Sequence, residues 1–292
     1  MLPKILPPLT AEQRAAKETA ALQSLLDTAA SSGGLTKYFA GVTGNNAHKY
    51  LSRFITQDET CIQLKHTVYK LAGTDDPVLI TGPSGVGKEL IAQALHGMRP
   101  AGKFFAINCA AMPETLAESE LFGHKSGAFT GAKYDNPGIL RAADNGTVFL
   151  DELAEAPLYL QAKLLRSLQP AADGRRYVRP VGDTEQYPIN CRIVAATKSN
   201  VRELVAANRF REDLFARLMT FELSIPGLAQ RTMDIPLILA DLGYTVDGVL
   251  SLLDNTTFMI EVALFNVRAL QAFTRRVALL GYDAAMEMYY ST

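Results

Sequence analysis

The stretch "PVLITGPSGVGKEL", Pro77 to Leu90, constrains this chain most: an apolar, β-branched run passes through a glycine-rich turn straight into a helix-forming run. Its spacing is GxxxxGK. Glycines let successive backbone N–H groups wrap a polyphosphate, the helix N-terminus favours negative charge, and Lys88 reaches the β- and γ-phosphates. Gly82, Pro83, Ser84, Gly85, Val86, Gly87, Lys88, Glu89 and Leu90 are therefore the candidate nucleotide-binding residues. A plain glycine-rich turn between strand and helix is the bland reading, and the flanking elements argue against it. Glu89 stands where the common pattern has Ser or Thr for Mg²⁺. It reaches a metal through water or serves as a first-turn acid at the helix dipole, and the second role is preferred.

A second apolar run, "GTVFLDEL", ends in Asp151-Glu152. Two adjacent acids at the mouth of a buried strand are costly without a purpose. Beside a phosphate-binding loop, Asp151 would hold Mg²⁺ directly or through its waters, and Glu152 would orient and deprotonate an attacking water. A helix cap or solvated turn is the alternative for such a pair on its own. Thr197 ends "CRIVAAT", where its hydroxyl senses the γ-phosphate or bonds its own turn. Asn108 ends "FFAIN", where it restrains Glu152 or caps a turn. In "RFREDLFARL", Arg211 and Arg217 lie six apart, not quite on one helical face. They are surface arginines or fingers supplied to a neighbouring subunit, which would require a ring or another oligomer.

Between and after these motifs, "KELIAQALHGM", "KFFAIN", "PLYLQAKLLRSLQ" and "CRIVAAT" alternate strand and helix patterns. That alternation predicts an α/β fold with a parallel sheet sandwiched by helices. After "LSIPGLAQRTMDIP" the apolar period becomes helical, so a small helical region is expected from about Gly227, with Pro226-Gly227 at the boundary. Near the start, Thr10 and Gln13 have capping-box spacing ahead of a helix that stops at Gly33-Gly34, and Leu35 to Leu51 shows no clear period.

The chain has 29 Lys+Arg against 30 Asp+Glu, so no global charge marks a nucleic-acid or membrane binder, and DNA contact is expected to be indirect. Cys61, Cys109 and Cys191 are too scattered for a disulfide framework or a zinc site, and buried free thiols are expected. The most apolar late stretch is interrupted by Asp241, Gly243, Asp247 and Gly248. An unanchored, cytoplasmic protein is the resulting expectation.

Taken in order, these motifs together with "ESELFGHKSGAFTGA" resemble the AAA+ domain of bacterial enhancer-binding proteins, the activators of sigma-54 RNA polymerase. The resemblance runs from about Phe54 to Arg231. It implies a P-loop ATPase that binds ATP and Mg²⁺, forms a homo-oligomeric ring, typically a hexamer, and remodels the closed promoter complex. Gly127, Ala128, Phe129, Thr130, Gly131 and Ala132 would form the loop that touches sigma-54, with Phe129 and Thr130 making the contact. Lys88 and Asp151 would bind ATP and Mg²⁺, Glu152 with Asn108 would form the water-activating switch, Thr197 would be sensor I, and Arg211 and Arg217 the trans arginines. The family commonly carries Glu at the position of Glu89.

Departures begin at Lys198, where the family usually has Asn. In "ALFNVRAL" the family's Trp, Pro and Gly are lost while Asn266, Val267, Arg268 and Leu270 remain, and Arg268 would be sensor II. The interval before that segment is short, so a shortened helical lid is expected. The resulting division is an N-terminal helix and linker over 1–50, the ATPase domain over 51–227 and the lid over 228–292, with no C-terminal helix-turn-helix. A different class of function, a catalytically weak regulatory module that assembles with or inhibits a full-length activator, is the alternative.

Overall fold

The computed structural model describes residues 47–97, 102–242, 252–253 and 255–290. The helix expected from Thr10 lies outside them. The chain divides into two compact units, one containing Glu59–Gly227 and the other Leu228 onward with Ile55–Asp58.

The larger unit is built on a five-stranded parallel sheet. Its strands are β1 (Val78–Thr81), β2 (Phe104–Asn108), β3 (Thr147–Asp151), β6 (Arg192–Thr197) and β7 (Phe221–Ser224), in the order β2-β3-β6-β1-β7. Strands β4 (Arg176–Val178) and β5 (Tyr187–Ile189) form a separate antiparallel pair. The helices are α1 (Ala47–Arg53), α2 (Glu59–Leu71), α3 (Lys88–His96), α4 (Glu114–Phe122), α5 (Ile139–Ala142), α6 (Leu158–Leu168), α7 (Val201–Ala206) and α8 (Glu212–Leu218).

The strand pleat explains why the runs read as continuously apolar. Leu79, Val148, Leu150, Ile193 and Ala195 enter one core with α6 residues Leu160 and Leu164. Their neighbours Val78, Ile80, Phe149, Val194 and Ala196 enter the other, with Ile91 and Leu95 of α3 and Val68 of α2. Successive side chains point to opposite faces, so a strand covered on both sides must be apolar at every position. Each fully buried Leu, Ile or Phe contributes roughly 1.5–3 kcal/mol of transfer free energy. The parallel sheet sandwiched by helices is therefore present as the sequence indicated.

α1 corrects the reading of Leu35 to Leu51 as aperiodic. Among the described residues of that neighbourhood only Leu51 and Phe54 are buried in the core, too few apolar positions to reveal a seven-residue helix by period. All three cysteines are buried thiols outside any disulfide, as their scatter suggested.

The second unit is helical: α9 (Asp234–Asp241), α10 (Thr256–Phe265), α11 (Val267–Leu280) and α12 (Tyr282–Tyr290). At its centre Phe258 meets Phe273 and Tyr289 edge-to-face, and the latter two rings are tilted against each other. Asn266 joins α10 to α11 with φ 55°, a left-handed φ that Asn tolerates better than most residues, and its buried side chain accepts the Leu228 N–H at 2.6 Å. No described helix is long and apolar enough to cross a membrane.

Candidate functional site

The glycine-rich loop leaves β1 at Thr81 and enters α3 at Lys88. Because β1 lies between β6 and β7, the loop opens at the carboxyl ends of the strands, the edge where open α/β sheets bind ligands. The Gly82 N–H donates to the Thr197 carbonyl at 3.2 Å, tying the loop to the end of β6. A Cβ at Gly82 would stand 2.6 Å from the Ile225 carbonyl oxygen, so close backbone approach requires glycine there. Gly85 and Gly87 have φ of 77° and 104°, which glycine adopts without strain. Val86 is buried beneath the loop.

Lys88 is 7% exposed and donates to the carbonyls of Gly82 at 2.9 Å and Pro83 at 3.2 Å. Its Nζ lies 3.7 Å from Glu152 Oε1. Glu89, one position on, is exposed and accepts from Gln93 Nε2 at 3.1 Å across one helical turn. That geometry fits a first-turn acid.

Asp151 closes β3, and its Oδ1 accepts the Glu152 N–H at 3.1 Å. Glu152 has φ 50° and ψ 43°, a left-handed conformation uncommon outside glycine, Asn and Asp. Its Oε2 accepts the Lys198 N–H at 3.2 Å. Lys198 Nζ in turn lies 3.6 Å from Glu155. Beside the acids the Cys109 thiol is pushed up to about 12, first by burial and then by the charge of Asp151.

Asn108 sits level with Asp151 in the β2-β3 register, but its Oδ1 caps the following turn, accepting from the N–H groups of Ala110 and Ala111. The bonds recorded for the Glu152 carboxylate go to Lys88 and Lys198 instead. Thr197 is buried and its Oγ1 accepts the Ser199 N–H at 3.1 Å. For both residues the turn-bonding alternative describes the geometry seen.

Arg211 lies just outside the helix, at the N-cap of α8, and Arg217 in its last turn. The pair therefore does not share a helical face. The Arg211 guanidinium is held by Asp213 at 3.0 and 2.7 Å, and Arg217 donates to the Leu168 carbonyl at 3.2 Å. Gln161 of α6 was missed in the sequence. Its buried amide donates to the carbonyls of Ala156 and Arg209 and accepts the Arg211 N–H at 2.9 Å, fixing the segment ahead of α8. A polar residue inside the apolar stripe of α6 was the available signal. Arg268 is exposed in the first turn of α11, in the helical unit.

The segment Ser126–Ala132 follows α4. Its Gly127 N–H donates to the Ala132 carbonyl at 2.8 Å, closing the loop at its base. Asp135 accepts the Ser126 N–H at 2.8 Å and pairs with Lys125 at 2.9 Å. Gly127 and Gly131 have φ of 83° and 103° with open space around them. Phe129 remains 38% exposed, its ring edge-on to His124 at 4.9 Å between centroids, while Thr130 is exposed. Ala128 sits against Gly182, where a Cβ would come within 2.7 Å.

Comparison with known proteins gives a consistent result. The sigma-54 interaction domain family model matches residues 54–224, more than half of the chain. The transcriptional regulatory protein GlrR of Escherichia coli strain K12 is 46% identical over 192 residues, covering 65% of this chain and 42% of GlrR. The anaerobic nitric oxide reductase transcription regulator NorR of Citrobacter koseri is 49% identical over 179 residues, covering 61% of this chain and 34% of NorR. The chain thus spans less than half the length of these curated relatives. Among solved structures, NtrX from Brucella abortus in complex with ATP superposes with a TM-score of 0.64 at 30% identity, covering 77% of this chain and 52% of NtrX. With its parallel sheet, glycine-rich loop and helical C-terminal unit, the chain belongs to the sigma-54 interaction domain family of AAA+ P-loop NTPases, whose members are sigma-54-dependent transcriptional regulators.

Proposed function

We propose that this chain is an ATP-hydrolysing activator of sigma-54 RNA polymerase that uses the 126–132 loop to remodel the closed promoter complex in the cytoplasm. The observation that carries the reading is the meeting of Lys88 with Glu152, 3.7 Å apart, where the glycine-rich loop and the acidic end of β3 converge. A buried ammonium among carbonyls and one carboxylate is poised to exchange those partners for phosphate oxygens. Residues 82–90 are the nucleotide cradle in this reading.

The residues fit Mg²⁺ as well as ATP. Among the described residues no group of three His, Cys, Asp or Glu could hold a metal ion. Mg²⁺ suits such a site because it is commonly bound by one or two carboxylates together with substrate phosphates and water. Asp151 supplies that carboxylate, and the ion would neutralise charge on the phosphates. Glu152, released from the Lys198 N–H, is the general base that takes a proton from the attacking water. Asn108 restrains it once its own turn bonds break, and Thr197 reports on the γ-phosphate.

Arg211 and Arg217 reach a neighbouring subunit in a ring, probed by the loss of the Arg211–Asp213 pair on assembly. Arginines supplied this way raise turnover by about 10³–10⁵ in other NTPases. Residues 51–227 form the ATPase domain and 228–292 the lid carrying Arg268. Phe129 and Thr130 present the contact to sigma-54, since an aromatic ring braced edge-on by His124 is available to a partner at low ordering cost.

Transcription from a sigma-54 promoter with purified components tests the reading. The chain should support ATP-dependent open-complex formation. Phe129→Ala should abolish it while ATP turnover stays within about twofold of the parent. Turnover that stays at background across all protein concentrations would favour the regulatory-module alternative.

A further inference from the structure

Away from the nucleotide loop, three arginines of the larger unit line one cleft. Arg141 comes from α5, and Arg175 and Arg176 from the entry to the β4-β5 pair. With Pro137, Pro188 and Asn190 they bound a space of about 640 Å³. Asp144 is the one carboxylate in its lining. Among the described residues none of the three arginines forms an ion pair. Asp173, two residues before Arg175, is engaged by the Tyr177 hydroxyl and the Arg175 backbone N–H.

Two of the three are held in place by uncharged groups. The Arg141 guanidinium lies 3.9 Å from the centroid of the Tyr187 ring, a cation–π stack. Arg176 donates to the carbonyl of buried Cys191 at 2.5 Å. Both contacts fix a guanidinium while leaving its charge uncompensated. Three positive charges gathered around the single lining carboxylate Asp144, with Asp173 beside Arg175, leave the cleft net positive, and the chain as a whole carries a formal charge of only −1. An anion from outside neutralises that excess, and the planar guanidinium fork matches phosphate oxygens two at a time.

We propose that the Arg141–Arg175–Arg176 cleft is a phosphate-binding site, separate from the glycine-rich loop. The phosphate belongs either to a nucleic-acid backbone or to a small phosphorylated molecule. The site stands independently of the proposed ATPase activity, because none of its residues takes part in that chemistry.

The test uses the full chain with the glycine-rich loop saturated by ADP, so that added phosphates find that loop filled. Pyrophosphate is titrated by calorimetry and a short labelled DNA duplex by fluorescence anisotropy, at low and raised salt. Saturable binding is expected for at least one probe, weakening with salt and falling at least about tenfold in Arg175→Ala, with ADP affinity unchanged. Duplex binding assigns a nucleic-acid backbone; pyrophosphate binding alone assigns a small phosphorylated molecule. Arg141→Ala should lose binding too, and if loss of its Tyr187 stack prevents folding, the exposed Arg175 decides the matter. Absence of saturable binding for both probes, or binding that Arg175→Ala leaves unchanged, overturns the proposal.

Discussion

The glycine-rich loop at 82–88 and the loop at 126–132 both depend on glycine, and they depend on it for opposite reasons. At Gly82 the surroundings forbid a side chain: the Ile225 carbonyl would lie 2.6 Å from a Cβ. At Gly127 and Gly131 nothing stands within 4 Å, and only the positive φ asks for glycine. The first loop is held by its neighbours, with Lys88 buried and the Gly82 N–H pinned to Thr197. The second is held by its own base, through Gly127 with Ala132 and Ser126 with Asp135, and leaves Phe129 and Thr130 outside. A cradle for a defined ligand needs fixed donors, whereas a surface offered to a partner needs only a fixed base.

The largest effect should come from the acid that faces the first loop, Glu152, 3.7 Å from Lys88. Glu152→Gln keeps the shape and removes the base, so steady-state ATP turnover should fall by about 10²–10⁴ while nucleotide affinity is retained. Unchanged turnover would remove Glu152 from the catalytic role.

Next in size is the difference between the two glycine requirements. Gly82→Ala forces backbone apart and should cost about 1–3 kcal/mol in urea unfolding. Gly127→Ala meets open space and only left-handed strain, for about 1 kcal/mol. Equal losses would erase the distinction between a loop held from outside and one held by its base.

The smallest effect concerns the thiol behind the acids. With its pKa raised to about 12, Cys109 is almost wholly protonated at pH 8.5, and only the thiolate reacts. Iodoacetamide at pH 8.5 should therefore leave Cys109 unmodified in the folded protein while alkylating it in urea, as read by peptide mass spectrometry. Fast labelling in the folded state would mean that this side of the acidic pair is more open than its burial indicates.

Much of the larger unit was legible because its strands are covered on both faces and so read as unbroken apolar runs. β1, β3 and β6 follow from that rule, whereas β2, at the sheet edge with only Ile107 buried, read as apolar without being covered on both faces. The hairpin strands β4 and β5 did not, since three-residue strands bearing Arg176 and Tyr187 at half-buried positions carry no periodic signal. α2 buries Cys61, Leu64, Lys65, Val68 and Leu71 at helical spacing, a pattern present in the sequence but masked by the buried lysine. At the candidate site, Lys88, Asp151 and Glu152 were named from motif spacing. Gln161 was not, because its importance lies in bonds to Ala156, Arg209 and Arg211, residues up to fifty positions away.

The sequence by itself determined the strand–glycine loop–helix unit, the acidic pair at the end of a buried strand and the exposed aromatic loop, because each is set by local spacing and local backbone demands. Tertiary structure alone decided that Lys88 faces Glu152, that Asn108 and Thr197 turn to their own backbones, that Phe129 rests on His124, and that Arg141 joins Arg175 and Arg176 around one cleft. Those outcomes are contacts between distant segments, and such contacts are fixed by strand order and packing, which local spacing does not encode.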